Sequence, residues 1–163
     1  MDETGSGRIV VGVSGSLGSV AALHRAVAEA RHTDADVLAV LAWEPVGGES
    51  AYHRAPLPPL LAEGRRLAEE RLSTALDTAL GVGWIGGRLL TQVLRGPAGE
   101  TLVRTADRED DLLVVGAGQH GLLRRVLRRS TSRYCLEHAT CPVLAVPPSP
   151  LRRDLDVVHR RNA

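Results

Sequence analysis

The residues best suited to chemistry lie between Asp110 and Val146, in DDLLVVGAGQHGLLRRVLRRSTSRYCLEHATCPVLAV. A short apolar run, Leu112 to Val115, leads into Gly116 and Gly118. An arginine-rich segment follows, Leu122 to Arg129, then Ser130, Thr131 and Ser132. The next segment has its periodic positions at Thr131, Cys135, Leu136 and Ala139, and a second apolar run spans Pro142 to Val146. This pattern predicts strand, loop, helix, strand. Ser130 suits an N-cap, so the helix it starts would offer free backbone N–H groups and the positive end of its dipole. Such a corner attracts anions, phosphate above all. Arg124, Arg125, Arg128 and Arg129 add positive charge and can grip phosphate in bidentate fashion. A loop at the carboxyl end of a parallel strand also faces the ligand crevice of an open α/β sheet.

Composition removes several other chemistries. All 20 basic residues are arginine, so a P-loop lysine, a Schiff-base lysine and a lysine general base are excluded. With no Phe, two Trp and two Tyr, the chain is poorly equipped to stack single-stranded nucleic acid, and its net charge of +1 predicts neither a nucleic-acid nor a membrane partner. Cys135 and Cys141 are too few for a disulfide framework or a zinc site and read as buried, reduced thiols. No apolar run approaches the ~20 residues of a membrane helix. The polar start MDETGSGR does not resemble a secretory signal, and a cytoplasmic protein is expected.

The elements that must position this stretch follow in order. Residues 1–7 read as a flexible leader, 8–147 as one domain and 148–163 as a loose, proline-rich and charged tail. Arg8 to Val13 is a continuous apolar run, as expected of a central parallel strand. SGSLGS (14–19) turns the chain into a helix with Ser16 as its N-cap. Asp36 to Trp43 is the second strand, and 44–59, rich in Gly, Pro and Ser, is expected to be a loop or lid carrying a solvated His53. Leu60 to Leu80 is a long amphipathic helix whose Glu63, Arg65, Arg66, Glu69, Glu70 and Arg71 read as its solvated face. Arg88 to Leu94 is a more polar third strand, suited to a sheet edge, and Pro97 stands in the first turn of the next helix. Trp84 lies in the glycine-rich connection before that strand, while His24, His32 and His138 read as solvated or capping residues. Five strands alternating with four helices give a single three-layer α/β sandwich with a parallel sheet. The first and fourth strands are the most apolar and belong in the middle, which predicts the order 3-2-1-4-5. The apolar fifth strand then forms an exposed edge, and a homodimer through it is expected. A strictly monomeric species in sedimentation at micromolar concentration would refute that dimer.

VVGAGQHGLLRRVLRRSTSRYCLEHATCPVLAV resembles the C-terminal half of the universal stress protein family, and RGPAGETLV resembles that family's loop after the third strand. The resemblance implies the adenine nucleotide alpha hydrolase-like, Rossmann-like fold and the same strand order. It also implies a non-catalytic stress-response module binding ATP or another adenine nucleotide, with magnesium only in company with ATP. The family's nucleotide-binding members carry Gly-x2-Gly-x9-Gly-Ser/Thr in the loop after the fourth strand. That frame falls here on Gly116, Gln119, Arg129 and Ser130, so two glycines are replaced. The family's Asp-Gly-Ser after the first strand is Ser14-Gly15-Ser16, which keeps a hydroxyl and loses a charge, and Ala42 falls where a small residue meets adenine. Ser14, Gly15, Ala42, Gly116, Gly118, Gln119, Arg129, Ser130 and Thr131 are therefore the candidate site residues.

Rival patterns fare worse. Gly116-Ala117-Gly118-Gln119-His120-Gly121 matches G-x-G-x-x-G, but Pro147-Pro148 stands where a dinucleotide fold needs a ribose-binding acid. SGSLGS is similar to the pyrophosphate loop of ATP-pyrophosphatase enzymes but lacks its aspartate. Two roles stay open: a nucleotide-binding regulator, and a dimeric scaffold that has lost ATP. A third role, slow ATP hydrolysis, lacks an obvious base. Trp43 reads either as a core or rim residue or as a base-stacking one.

Overall fold

The computed structural model describes residues 7–81, 88–117 and 130–148. Two strands form the middle of the sheet, β1 (Arg8–Gly12) and β4 (Leu112–Gly116). Outside them lie β2 (Asp36–Trp43) and then β3 (Leu89–Arg95) on one side, and β5 (Val143–Val146) on the other. All pairings are parallel, in the order β3-β2-β1-β4-β5. The central strands are apolar because alternate residues serve two cores. Val11, Val37, Ala39, Leu41 and Val114 meet α1 (Leu17–Thr33) and α3 (Pro58–Leu80). Val10, Leu38, Val40, Leu113 and Val115 meet α4 (Ala98–Thr105) and α5 (Thr131–His138). The polar β3 and the apolar β5 are the two edges, as their sequences suggest.

The central pair is fixed at both ends. At its N-terminal end Arg8 Nε and Nη2 donate to Asp111 Oδ1 and Oδ2 at 2.9 and 2.7 Å, and Nη2 also donates to the Thr105 carbonyl at 2.9 Å. Asp111 is 1% exposed. Burial alone would raise its pKa, but the Arg8 hydrogen bonds, the Arg108 N–H and the Arg8 charge outweigh it and hold the carboxyl below its ordinary value. At the C-terminal end Gly116 lies directly against the start of α1. A Cβ there would stand 2.5 Å from the Gly18 carbonyl carbon and oxygen, so only glycine allows this approach.

Two local expectations change. The segment 44–59 is not all loop, since it contains α2 (Glu49–Arg54) and the first turn of α3. Its Gly and Pro content conceals a helix that is held from outside. Arg95 donates to both Glu49 carboxylate oxygens at 2.6 and 2.7 Å and lies 4.5 Å from the Tyr52 ring centre. With α2 the described helices number five rather than four. Leu136, counted among the inward positions of α5, is 58% exposed. That short helix buries Ser132 and Cys135, and Leu136 is turned away from them. Cys135 and Cys141 are free and buried, as expected. Burial, then the neighbouring Cys141, pushes the Cys135 thiol up to about 11, far from a reactive thiolate.

Candidate functional site

A cleft of about 900 Å3 opens over the carboxyl ends of β2 and β3. Ala42, Trp43 and the following Glu44 to Gly48 form one side, and Gly96 to Glu100 at the start of α4 form another. Leu60, Gly64, Leu67, Ala68 and Arg71 of α3, with Thr131 and Tyr134 of α5, complete it. Two helical layers thus meet above the sheet, in the position where open α/β sheets hold ligands.

The cleft joins an apolar wall to uncompensated charge. Leu60 and Leu67 are among the exposed large apolar residues of α3. Glu44, Glu100 and Arg71 have no hydrogen-bond or ion-pair partner among the described residues. Arg71 is the cation of the described lining, and its aliphatic stem lies against Gly15. It is exposed, as its place in the charge run of α3 predicts, and it also borders the cleft. Its neighbours in that run pair along the helix, Arg65 with Glu69 and Arg66 with Glu63 and Glu70.

The candidate residues divide into two sets. Ala42 and Thr131 line the cleft, and Gly15 touches it through Arg71. Ser14, Gly116 and Ser130 do not line it. Ser14 Oγ donates to Ser16 Oγ at 2.9 Å, while Ser16 caps α1 by accepting from Ser19 N–H at 3.2 Å, as its sequence position predicts. Ser130 occupies the N-cap position of α5 but makes no side-chain cap bond, because its hydroxyl pairs with Ser132 Oγ at 2.7 Å. Gly118, Gln119 and Arg129, with the other arginines of that loop, lie outside the described residues. Trp43, Glu44, Glu100, Tyr134 and Arg71 were not in the sequence-derived set. Only Trp43 carried a sequence signal, as an aromatic at the end of a strand.

Among the described residues no group of three or more His, Cys, Asp or Glu side chains could hold a metal ion, and no helix is long and apolar enough to cross a membrane.

A parallel α/β sandwich with a cleft over its strand ends places the molecule in the ligand-binding class of open α/β folds. Within that class the chain belongs to the universal stress protein family, which it matches over residues 5–147. No curated protein matches it. Among solved structures it is similar to the universal stress protein UspA from Lactobacillus plantarum, with 28% identity, a TM-score of 0.64, and 86% of this chain and 97% of that one covered. It is also similar to a universal stress protein in complex with cAMP, at 25% identity and a TM-score of 0.56, covering 88% of this chain and 98% of that one. A universal stress protein family member from Arabidopsis thaliana with AMP bound shares the fold at 15% identity and a TM-score of 0.54, covering 88% and 93%.

Proposed function

We propose that the cleft over β2 and β3 binds an adenine nucleotide and that the protein is a non-catalytic stress-response module controlled by it. The observation that carries this reading is Arg71, a guanidinium with no partner among the described residues, in a cleft that also takes in Ala42 and Thr131. A lone cation beside the start of a helix suits a phosphate group. The base would then lie toward Ala42, and magnesium would enter only with a triphosphate. The cAMP complex of a similar protein supports the choice of an adenine nucleotide. A cytoplasmic homodimer completes the proposal. The buried free thiols suit a reducing compartment. The half-buried apolar edge strand β5 suits pairing with a second copy.

A dimeric scaffold without nucleotide is the second reading. It is favoured by Ser14 and Ser130, whose hydroxyls are already engaged by neighbouring serines. The two separate in one experiment. Protein purified without added nucleotide is denatured and the supernatant analysed by chromatography, while intact protein is heated with millimolar ATP or AMP. Released adenine nucleotide or a raised melting temperature is the expected outcome. Neither signal would leave the scaffold.

A further inference from the structure

The chain contains only four Trp and Tyr residues and no Phe, yet two of the four, Trp43 and Tyr134, line the cleft. Tyr134 has one face stacked on His138, with ring centres 4.1 Å apart. Trp43 is placed differently. It ends β2 on the side of α3, and its six-membered ring rests on Gly64. A Cβ at position 64 would lie 2.8 Å from Trp43 Cζ3, so any other residue would push the ring out of its seat. Glycine inside a helix is unfavourable relative to alanine, and Gly64 stands within the 23-residue α3. The contact with Trp43 explains why it is there. The indole is half-buried and anchored to the apolar core beneath, and it still borders the cleft. Leu60 and Leu67 continue the same apolar side. That side has nothing to offer a phosphate but suits the flat, uncharged part of a nucleotide.

We propose that Trp43, held by Gly64, is the base-stacking residue of the cleft and makes it favour purine over pyrimidine nucleotides. This rests on the nucleotide-binding reading above. Stacking follows ring area, so the larger purine gains more, and the indole gives the site a preference that hydrogen bonds need not supply. Gly64 is a positioning residue, acting only through the ring it seats.

The test uses AMP and UMP on the full chain. In a Trp84→Phe background Trp43 is the remaining indole, and AMP should change its emission in step with calorimetric binding. Trp43→Leu should weaken AMP roughly ten-fold, the scale of base–aromatic stacking. It should also narrow the gap between AMP and UMP, and Trp43→Phe should restore most of both. If AMP binds while the Trp43 emission stays unchanged, and Trp43→Leu binds AMP as tightly as the parent, the stacking role is wrong and nucleotide binding stands. If AMP at millimolar concentration binds neither protein, both fall. Should Trp43→Leu not fold, the emission titration in the Trp84→Phe protein decides alone.

Discussion

The central strand pair and the outer pair β2 and β3 treat their polar groups in opposite ways. Around β1 and β4 the groups answer one another. Arg8 is matched to Asp111, Ser14 to Ser16, Ser130 to Ser132, and Gly116 is closed onto Gly18. At the carboxyl ends of β2 and β3 Arg95 is matched to Glu49, but Arg71, Glu44 and Glu100 line a cleft with no partner among the described residues. Polar groups satisfied within the fold contribute to stability, whereas groups left open beside an apolar wall are available to a ligand. On the proposed reading the central corner is framework and the outer cleft is the place of binding.

Variants can break this division. The largest effect is expected at Asp111→Ala, which removes the bidentate partner of a mostly buried guanidinium, leaves it Asp107 and the Thr105 carbonyl, and should cost about 4 kcal/mol in urea unfolding. The same pair gives a pH signature. Because the folded Asp111 carboxyl sits below its ordinary value, its contribution is complete above the ordinary carboxylate range near pH 4 and is lost as pH falls through the lower folded value. Acid unfolding should therefore be steeper in the parent than in Asp111→Ala below about pH 4. Gly116→Ala comes next, at about 3 kcal/mol, since its Cβ would meet backbone rather than a side chain that could turn away. Neither variant should alter nucleotide affinity while the protein is folded. Arg71→Ala should do the reverse, weakening AMP by about ten-fold in calorimetry for the loss of a charged contact, with stability within about 0.5 kcal/mol of the parent. The smallest effect is expected at Ser130→Ala. Its hydroxyl does not cap α5, so AMP affinity should change by less than about two-fold, whereas a hydroxyl that capped the helix would be worth more. A large loss of affinity in Ser130→Ala with no loss in Arg71→Ala would reverse the comparison.

Much of the framework was legible because it is written locally. Arg8 to Val13 and Leu112 to Val115 are uninterrupted apolar runs, and only strands covered on both faces need them. Ser16 announced its helix, and the polar Thr91 and Gln92 announced an edge. The site was less legible, because its residues are joined by crossings the sequence does not state. Arg71 looks like its neighbours Arg65 and Arg66, and only the passage of α3 over the end of β2 turns it toward the cleft. The helix α2 is hidden in a Gly- and Pro-rich segment because Arg95, from a distant strand, holds its Glu49. At Ser130 the run Ser-Thr-Ser offered two partners for one hydroxyl, and Ser132 rather than the backbone took it.

A crystal structure grown with saturating AMP would show where the ligand sits. The nucleotide is expected in the cleft over β2 and β3, with a phosphate oxygen within hydrogen-bonding distance of the Arg71 guanidinium and the base against Trp43. AMP held away from both residues, or a cleft filled only by solvent at saturation, would contradict it.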